Sequence, residues 1–420
     1  MKRKIATIAL CGLSCCVLMA QKQLDITVKN TMKTERTAQP IVINLAPYGT
    51  DIRQAIVKMN GQEIASQLDD LNGHGCYDEL CFMADMPKKS TTTYNVELLN
   101  SGKPRKYKPL VYADMILLNK KVKSNNEQNL FISSLTVENG TNPYWQMHHH
   151  GPAFENELVA YRIYFDHRQT VDLYGKYRKG LELKETQFYT NKQQKEAGYG
   201  DDVLWVGNTF GLGTMRGWDG QQPTLLEDVD HRTERIISYG PLRTIVEVVD
   251  DGWKDKTGNN AFHPYPITMT TRYTLYAGRR DCQVDVFFRQ AVANHQFSTG
   301  IINIKNSTEY SDHEGLRGCW GSDWTVSAKD SVGHKRETVG LGICLPMKHV
   351  VSEQPANKDN YPYVIGGIDK AMRYYITFGS DNETFGYHSA KDWFDYLQLW
   401  KKDLMNPVVV TEKLRQTKSE

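Results

Sequence analysis

Residues 267–292, ITMTTRYTLYAGRRDCQVDVFFRQAV, read as two strands joined by a tight turn. β-Branched and aromatic residues alternate with polar ones on both sides of Gly278-Arg279-Arg280-Asp281, so each strand offers one face to a core. The same alternation, punctuated by Gly, Asn, Asp and Pro, runs from residue 24 to about 378 and predicts an all-β protein.

Upstream, LDITVKN, PIVINLA, AIVKMNGQEI, DELCFMADM and TTTYNVELLN give about five strands, with Asn60-Gly61 as a hairpin turn. That set suffices for a small N-terminal β-sandwich. The polar run KKVKSNNEQNL, residues 120–130, marks a boundary. Beyond it the strands lengthen (ELVAYRIYF, QTVDLYG, RTIVEVVDDGW, VGLGICLP, MRYYITFG), which predicts a large, curved antiparallel β-supersandwich. In KDWFDYLQLWKKDLMNP, Trp393, Phe394, Leu397, Trp400 and Leu404 fall at helical spacing and Pro407 follows, so a C-terminal helix packs on a sheet. The expected layout is a leader at 1–20, a small sandwich at 21–119 and a supersandwich at 128–420. No fixed-period repeat is present, which disfavours a propeller or solenoid.

The 420 residues are 40% hydrophobic and 24% charged, a globular composition with a formal net charge of +2. With no basic cluster interleaved with aromatics, nucleic acid is excluded as a partner. MKRKIATIALCGLSCCVLMAQ combines a basic start with an apolar run from Ile5 to Ala20 and reads as a secretory signal cleaved after Ala20, giving a periplasmic or secreted protein. Gly12-Leu13-Ser14-Cys15 is an imperfect lipobox, so a lipid anchor is the alternative. No later run has the apolar length of a membrane span. Cys76, Cys81, Cys282, Cys319 and Cys344 are too few and odd in number for a disulfide framework, although Cys76 and Cys81 are near enough to bridge.

Chemistry concentrates between Tyr144 and Lys176, YWQMHHHGPAFENELVAYRIYFDHRQTVDLYGK. Read as one strand, Ala153–Phe165 places Glu155, Glu157 and Tyr161 on one face and Arg162 on the other. His149 or His150 is the candidate base, Tyr161 or Glu157 the acid, and Arg162 or Arg168 the bidentate carboxylate clamp; Arg168, just past the strand, is favoured because Arg162 falls on the opposite face from Tyr161, where an internal salt bridge is its plainer role. His148 and Glu155 are candidate substrate contacts. A divalent metal on two imidazoles with Glu155 or Glu157 competes with this reading, as does a purely structural role for the histidines.

Two further regions carry candidates. TFGLGTMRGWDGQQP and LEDVDHRTER form a long Gly-rich loop in which Trp218 is a candidate sugar platform and His231 a polar contact. His263, in NNAFHPYPI, is another candidate at a turn held by Pro264 and Pro266. In QLDDLNGHGCYDEL, Asp70, Asn72 and Asp78 read as an Asx-rich turn in preference to a calcium loop.

The runs QLDDLNGHGCYDELCFMADMPKKSTTTY and MHHHGPAFENELVAYRIYFDHRQTVDLYGK resemble the secreted family carrying domain of unknown function 4861, found in polysaccharide-utilisation gene clusters of gut and marine bacteria. That resemblance implies an exported protein working beside pectin- and uronate-degrading enzymes, without supplying catalytic residues. His74 stands where relatives are often acidic, which weakens calcium binding here. The longer strands are also similar to the supersandwich of galactose-mutarotase-like proteins and several polysaccharide lyases.

The expected function is an exported enzyme acting on uronate-containing oligosaccharides by β-elimination. Mutarotation or isomerisation of a free sugar, and non-catalytic glycan binding, are the alternatives. Hydrolysis by Glu155 and Glu157 is poorer: neighbours two apart on a strand sit at roughly 7 Å on one side of a bond.

Overall fold

The computed structural model describes residues 21–118, 130–255 and 266–415. The leader, the boundary run apart from Leu130, and His263 lie outside the described residues. Within them, neighbouring strands pair antiparallel in six sheets, one C-terminal helix is long, and no helix is long and apolar enough to cross a membrane.

The decisive hairpin forms as read: Ile267–Tyr276 pairs with Asp281–Phe288, Leu275 opposite Cys282. It sits mid-sheet. On one side follow Arg243–Trp253, His231–Tyr239 and Ser134–Glu138; on the other, Ala371–Ser380, Arg336–Cys344, Leu316–Trp324 and Thr308–Ser311. One face of this nine-stranded sheet contributes Val246, Tyr273, Val284 and Ile376 to the main core. Two five-stranded sheets complete that core. The first runs Val111–Asp114, Ala153–Asn156, Ala160–Ile163, Val171–Gly175, Asp201–Asp202; the second contains Gln296–Ile302 and Asn360–Gly366. Each fully buried Val, Leu, Ile or Phe contributes about 1.5–3 kcal/mol, so this cluster is the main source of stability.

Near the N-terminus, a five-stranded and a three-stranded sheet enclose a separate cluster around Leu24, Ile26, Ile43, Phe82 and Val96. Asn60 and Gly61, at φ 51 and 80, form the tight turn joining Gln54–Met59 to Gln62–Ile64. Val111–Asp114 pairs with Ala153–Asn156, and Val409–Leu414, after the helix, returns to pair with Gln21–Lys29. Cys76 and Cys81 do not bridge; all five described cysteines are free. Asp70 accepts from the backbone N–H groups of Gly73, His74 and Gly75, the Asx turn the sequence suggests.

The helix Ala390–Met405 starts at Ser389, whose hydroxyl accepts from the Asp392 N–H. Trp393, Leu397 and Trp400 bury against the outer face of the nine-stranded sheet. Glycine makes room there: a β-carbon on Gly342 would lie 2.4 Å from Leu397, and one on Gly340 2.5 Å from Trp393.

Candidate active site at the histidine run

Ala153–Phe165 is a hairpin and not the single strand expected. Phe154 lies opposite Tyr161 and Glu155 opposite Ala160. Asn156 causes the reversal: its side-chain oxygen accepts from the Leu158 and Val159 N–H groups, and its amide donates to the Tyr276 carbonyl. The shared face for Glu155, Glu157 and Tyr161 therefore does not exist. Glu155 is wholly buried, with Lys176 Nζ at 2.5 Å and the Glu182 and Leu183 N–H groups on its oxygens, so it is no substrate contact. Tyr161 is wholly buried, stacks on Phe154 and donates to the Arg280 carbonyl, which removes it as a catalytic acid. Glu157 lies in the hairpin turn, at the opposite end from the histidines, with its backbone carbonyl on Gly180.

The histidines approach the hairpin through a close passage. A β-carbon on Gly151 would stand 1.9 Å from the Ile163 carbonyl, so only glycine fits. His150, just before it, is held in the left-handed region at φ 69, a strain typical of functional sites. Its ring stacks on Tyr144 with centroids 3.8 Å apart. His150 Nδ1 lies 3.0 Å from the Tyr144 carbonyl. Because a carbonyl only accepts, Nδ1 must carry the proton, which leaves the lone pair on Nε2. Burial pushes His150 and His148 each down to about 4, so both rings are neutral near pH 7.

His149 is different. It is buried, with Nε2 2.7 Å from Asp114 Oδ1, and Tyr112 donates to the other oxygen of the same carboxylate. It is a positioning group for the run and not a base open to solvent.

Both arginines stand beside this cluster, with different partners. Arg162 directs Nε and Nη2 to Asp172, Nη2 also to Asp202, and Nη1 to the Tyr189 hydroxyl at 2.9 Å, which occupies its whole fork. The internal ion pair is therefore its role. Arg168 directs Nε and Nη2 to Asp166, also bonds the Tyr144 side chain, and lies over the Tyr144 and Tyr164 rings at 4.5 and 4.9 Å. Three aromatics that the sequence reading did not single out complete the site. Trp145, 70% exposed, meets the His150 ring edge-on at 5.3 Å. Tyr144 lies beneath. Tyr189, 43% exposed, has its ring centroid 6.1 Å from His148 and 6.3 Å from His150. A Phe-Tyr pair in the polar stretch 184–196 was the only signal for Tyr189.

The remaining candidates lie elsewhere. Trp218 is 7% exposed, within the strand Arg216–Trp218, and is core, not a sugar platform. His231 is exposed on the outer face of its strand, while Arg232 turns inward to Asp250. Among the described residues no three His, Cys, Asp or Glu side chains converge on a metal position.

Residues 28–410 match the model of the family described as DUF4861, a domain of unknown function. The chain belongs to the DUF4861 family. No curated protein matches this DUF4861 chain. Among solved structures it is similar to an alpha-mannosidase from Enterococcus faecalis V583, with TM-score 0.48 and 8% identity over 94% of this chain and 46% of the other. A glycosyl hydrolase family 38 protein from Enterococcus faecalis gives 0.47 and 9%, over 93% and 47%. The DUF4861 chain spans about half the length of these structures.

Proposed function

We propose that the histidine run is the active site of an exported enzyme that cleaves uronate-containing oligosaccharides by β-elimination. The observation that carries this is His150, a neutral imidazole whose tautomer is fixed by the Tyr144 carbonyl, facing a phenol and standing over the same Tyr144 ring as the Arg168 guanidinium. Elimination needs these three parts: a base for the proton α to the carboxylate, a cation for the charge that develops on that carboxylate, and an acid for the leaving oxygen.

In this reading His150 Nε2 takes the α-proton and the Arg168 guanidinium holds the uronate carboxylate while negative charge builds up on it. The new carbon–carbon double bond forms as the glycosidic carbon–oxygen bond breaks. Tyr189 supplies the proton to the departing oxygen: Arg162 donates to its hydroxyl, which leaves the phenolic hydrogen free to be given away. Burial raises Tyr189, so the phenol is protonated at neutral pH. Trp145 offers an apolar face for a neighbouring sugar ring. Export rests on the leader-like residues 1–20, and the sheets divide most simply into an N-terminal unit that includes Val409–Leu414 and a larger catalytic unit.

The test is ultraviolet absorbance of the mature protein with pectic, alginate and glycosaminoglycan oligosaccharides. New absorbance from an unsaturated uronate, lost in His150→Ala, supports elimination. A flat trace on every substrate, with free sugars then tested by NMR for mutarotation, overturns it.

A further inference from the structure

A sizeable cavity lies outside the histidine site. On the outer face of the nine-stranded sheet a cleft of about 740 Å³ opens between the strand Arg36–Asn44, the end of the C-terminal helix and the segment leading to Val409. A second compartment of about 460 Å³ shares Asp285, Phe287, Arg373 and Tyr375 with it and continues toward Met405. The combined shape is an elongated groove, within the size range of small-molecule sites.

Its floor is laid out in rows by the strand register. Thr274, Gln283 and Tyr375 lie side by side across three strands, and Arg272, Asp285 and Arg373 form the next row. Donors and acceptors thus alternate along and across the groove, with Tyr375 and Phe287 presenting rings among them. Its wall is a strand edge. Four successive residues, Gln39 to Val42, line the cavity, whereas side chains on one face would alternate; Arg36–Asn44 is also the outermost strand of its sheet.

The charges decide the ligand class. Arg272 is paired with Glu247 at 2.6 Å, Arg373 with Asp285 at 2.6 Å, Arg279 with Asp281 at 2.8 Å, and Arg243 with Asp69 and Glu79. An incoming carboxylate or sulfate would find these cations already neutralised and acids beside them. A neutral hydroxyl, which both donates and accepts, suits such a surface. We propose that this groove binds a neutral oligosaccharide, independently of the chemistry at the histidine run.

Calorimetric titration of the whole mature protein with an array of neutral oligosaccharides (cello-, manno-, xylo- and galacto-series), and with oligogalacturonate as the charged arm, tests this. The expected result is saturable binding of at least one neutral member, weakened about tenfold or more in Tyr375→Ala and in the near-isosteric Gln283→Leu, and retained in His150→Ala. Gln283→Leu keeps the test decisive if Tyr375→Ala fails to fold. Binding of oligogalacturonate alone, no neutral ligand on the array, or neutral binding indifferent to both groove variants overturns the proposal.

Discussion

His150 and Tyr144 are joined twice: their rings stack with planes 3° apart, and the Tyr144 carbonyl holds His150 Nδ1 at 3.0 Å. The pair fixes both the orientation and the tautomer of the imidazole. The ring acts as a base only when neutral, and burial pushes it down to about 4. Activity should therefore hold through the slightly acidic range and fall only as pH drops through about 4. A kcat/KM profile with its acidic limb near the ordinary histidine value of about 6.5 would assign the base to another group.

Two tyrosines separate catalysis from packing. Tyr189→Phe removes the hydroxyl held by Arg162 and should lower kcat by about 10²–10⁴ with little change in KM. Tyr161→Phe removes a buried donor and leaves the Arg280 carbonyl unpaired, so it should cost about 1–3 kcal/mol of stability while turnover persists. Steady-state kinetics and denaturant titration on both variants distinguish the roles. Equal kinetic loss in the two would return Tyr161 to the site.

The all-β class, the 267–292 hairpin and the C-terminal helix were legible because each rests on local periodicity and turn chemistry within one segment. The site was legible only as a neighbourhood. A single Asx turn at Asn156 reversed the chain, and with a period of two that reassigns every face beyond it. Tyr189 and the groove on the outer sheet face were hidden for another reason: Tyr189 meets histidines from a turn distant in sequence, and the groove's rows join strands brought together only by sheet order. Val409–Leu414 carries an ordinary strand pattern that says nothing of its pairing with Gln21–Lys29.

Lys176 and Glu155 form an ion pair with both side chains fully buried. Removing one partner strands the other charge, so Lys176→Met should destabilise by about 3–5 kcal/mol. The double variant Lys176→Met with Glu155→Leu should recover part of that loss, since no unpaired charge remains. Urea titrations of the three proteins check this; a single variant within about 1 kcal/mol of the parent would show that the pair is dispensable.

Glu234 is wholly buried behind Gly151, and neither side-chain oxygen has a hydrogen-bond partner among the described residues. Burial holds its carboxyl well above the usual carboxylate range, with Arg232 opposing and Asp166 and Asp250 reinforcing the shift. The folded state therefore keeps a proton that the unfolded state releases above about 4.5. By linkage, Glu234 stabilises the fold fully below that value and loses its contribution as pH rises toward the folded-state pKa. Glu234→Gln, of the same shape but without a proton to lose, should gain stability relative to the parent as pH is raised from about 5 to 8. Melting temperatures across that range decide the matter: a constant difference between the two proteins would mean that Glu234 is already ionised in the fold.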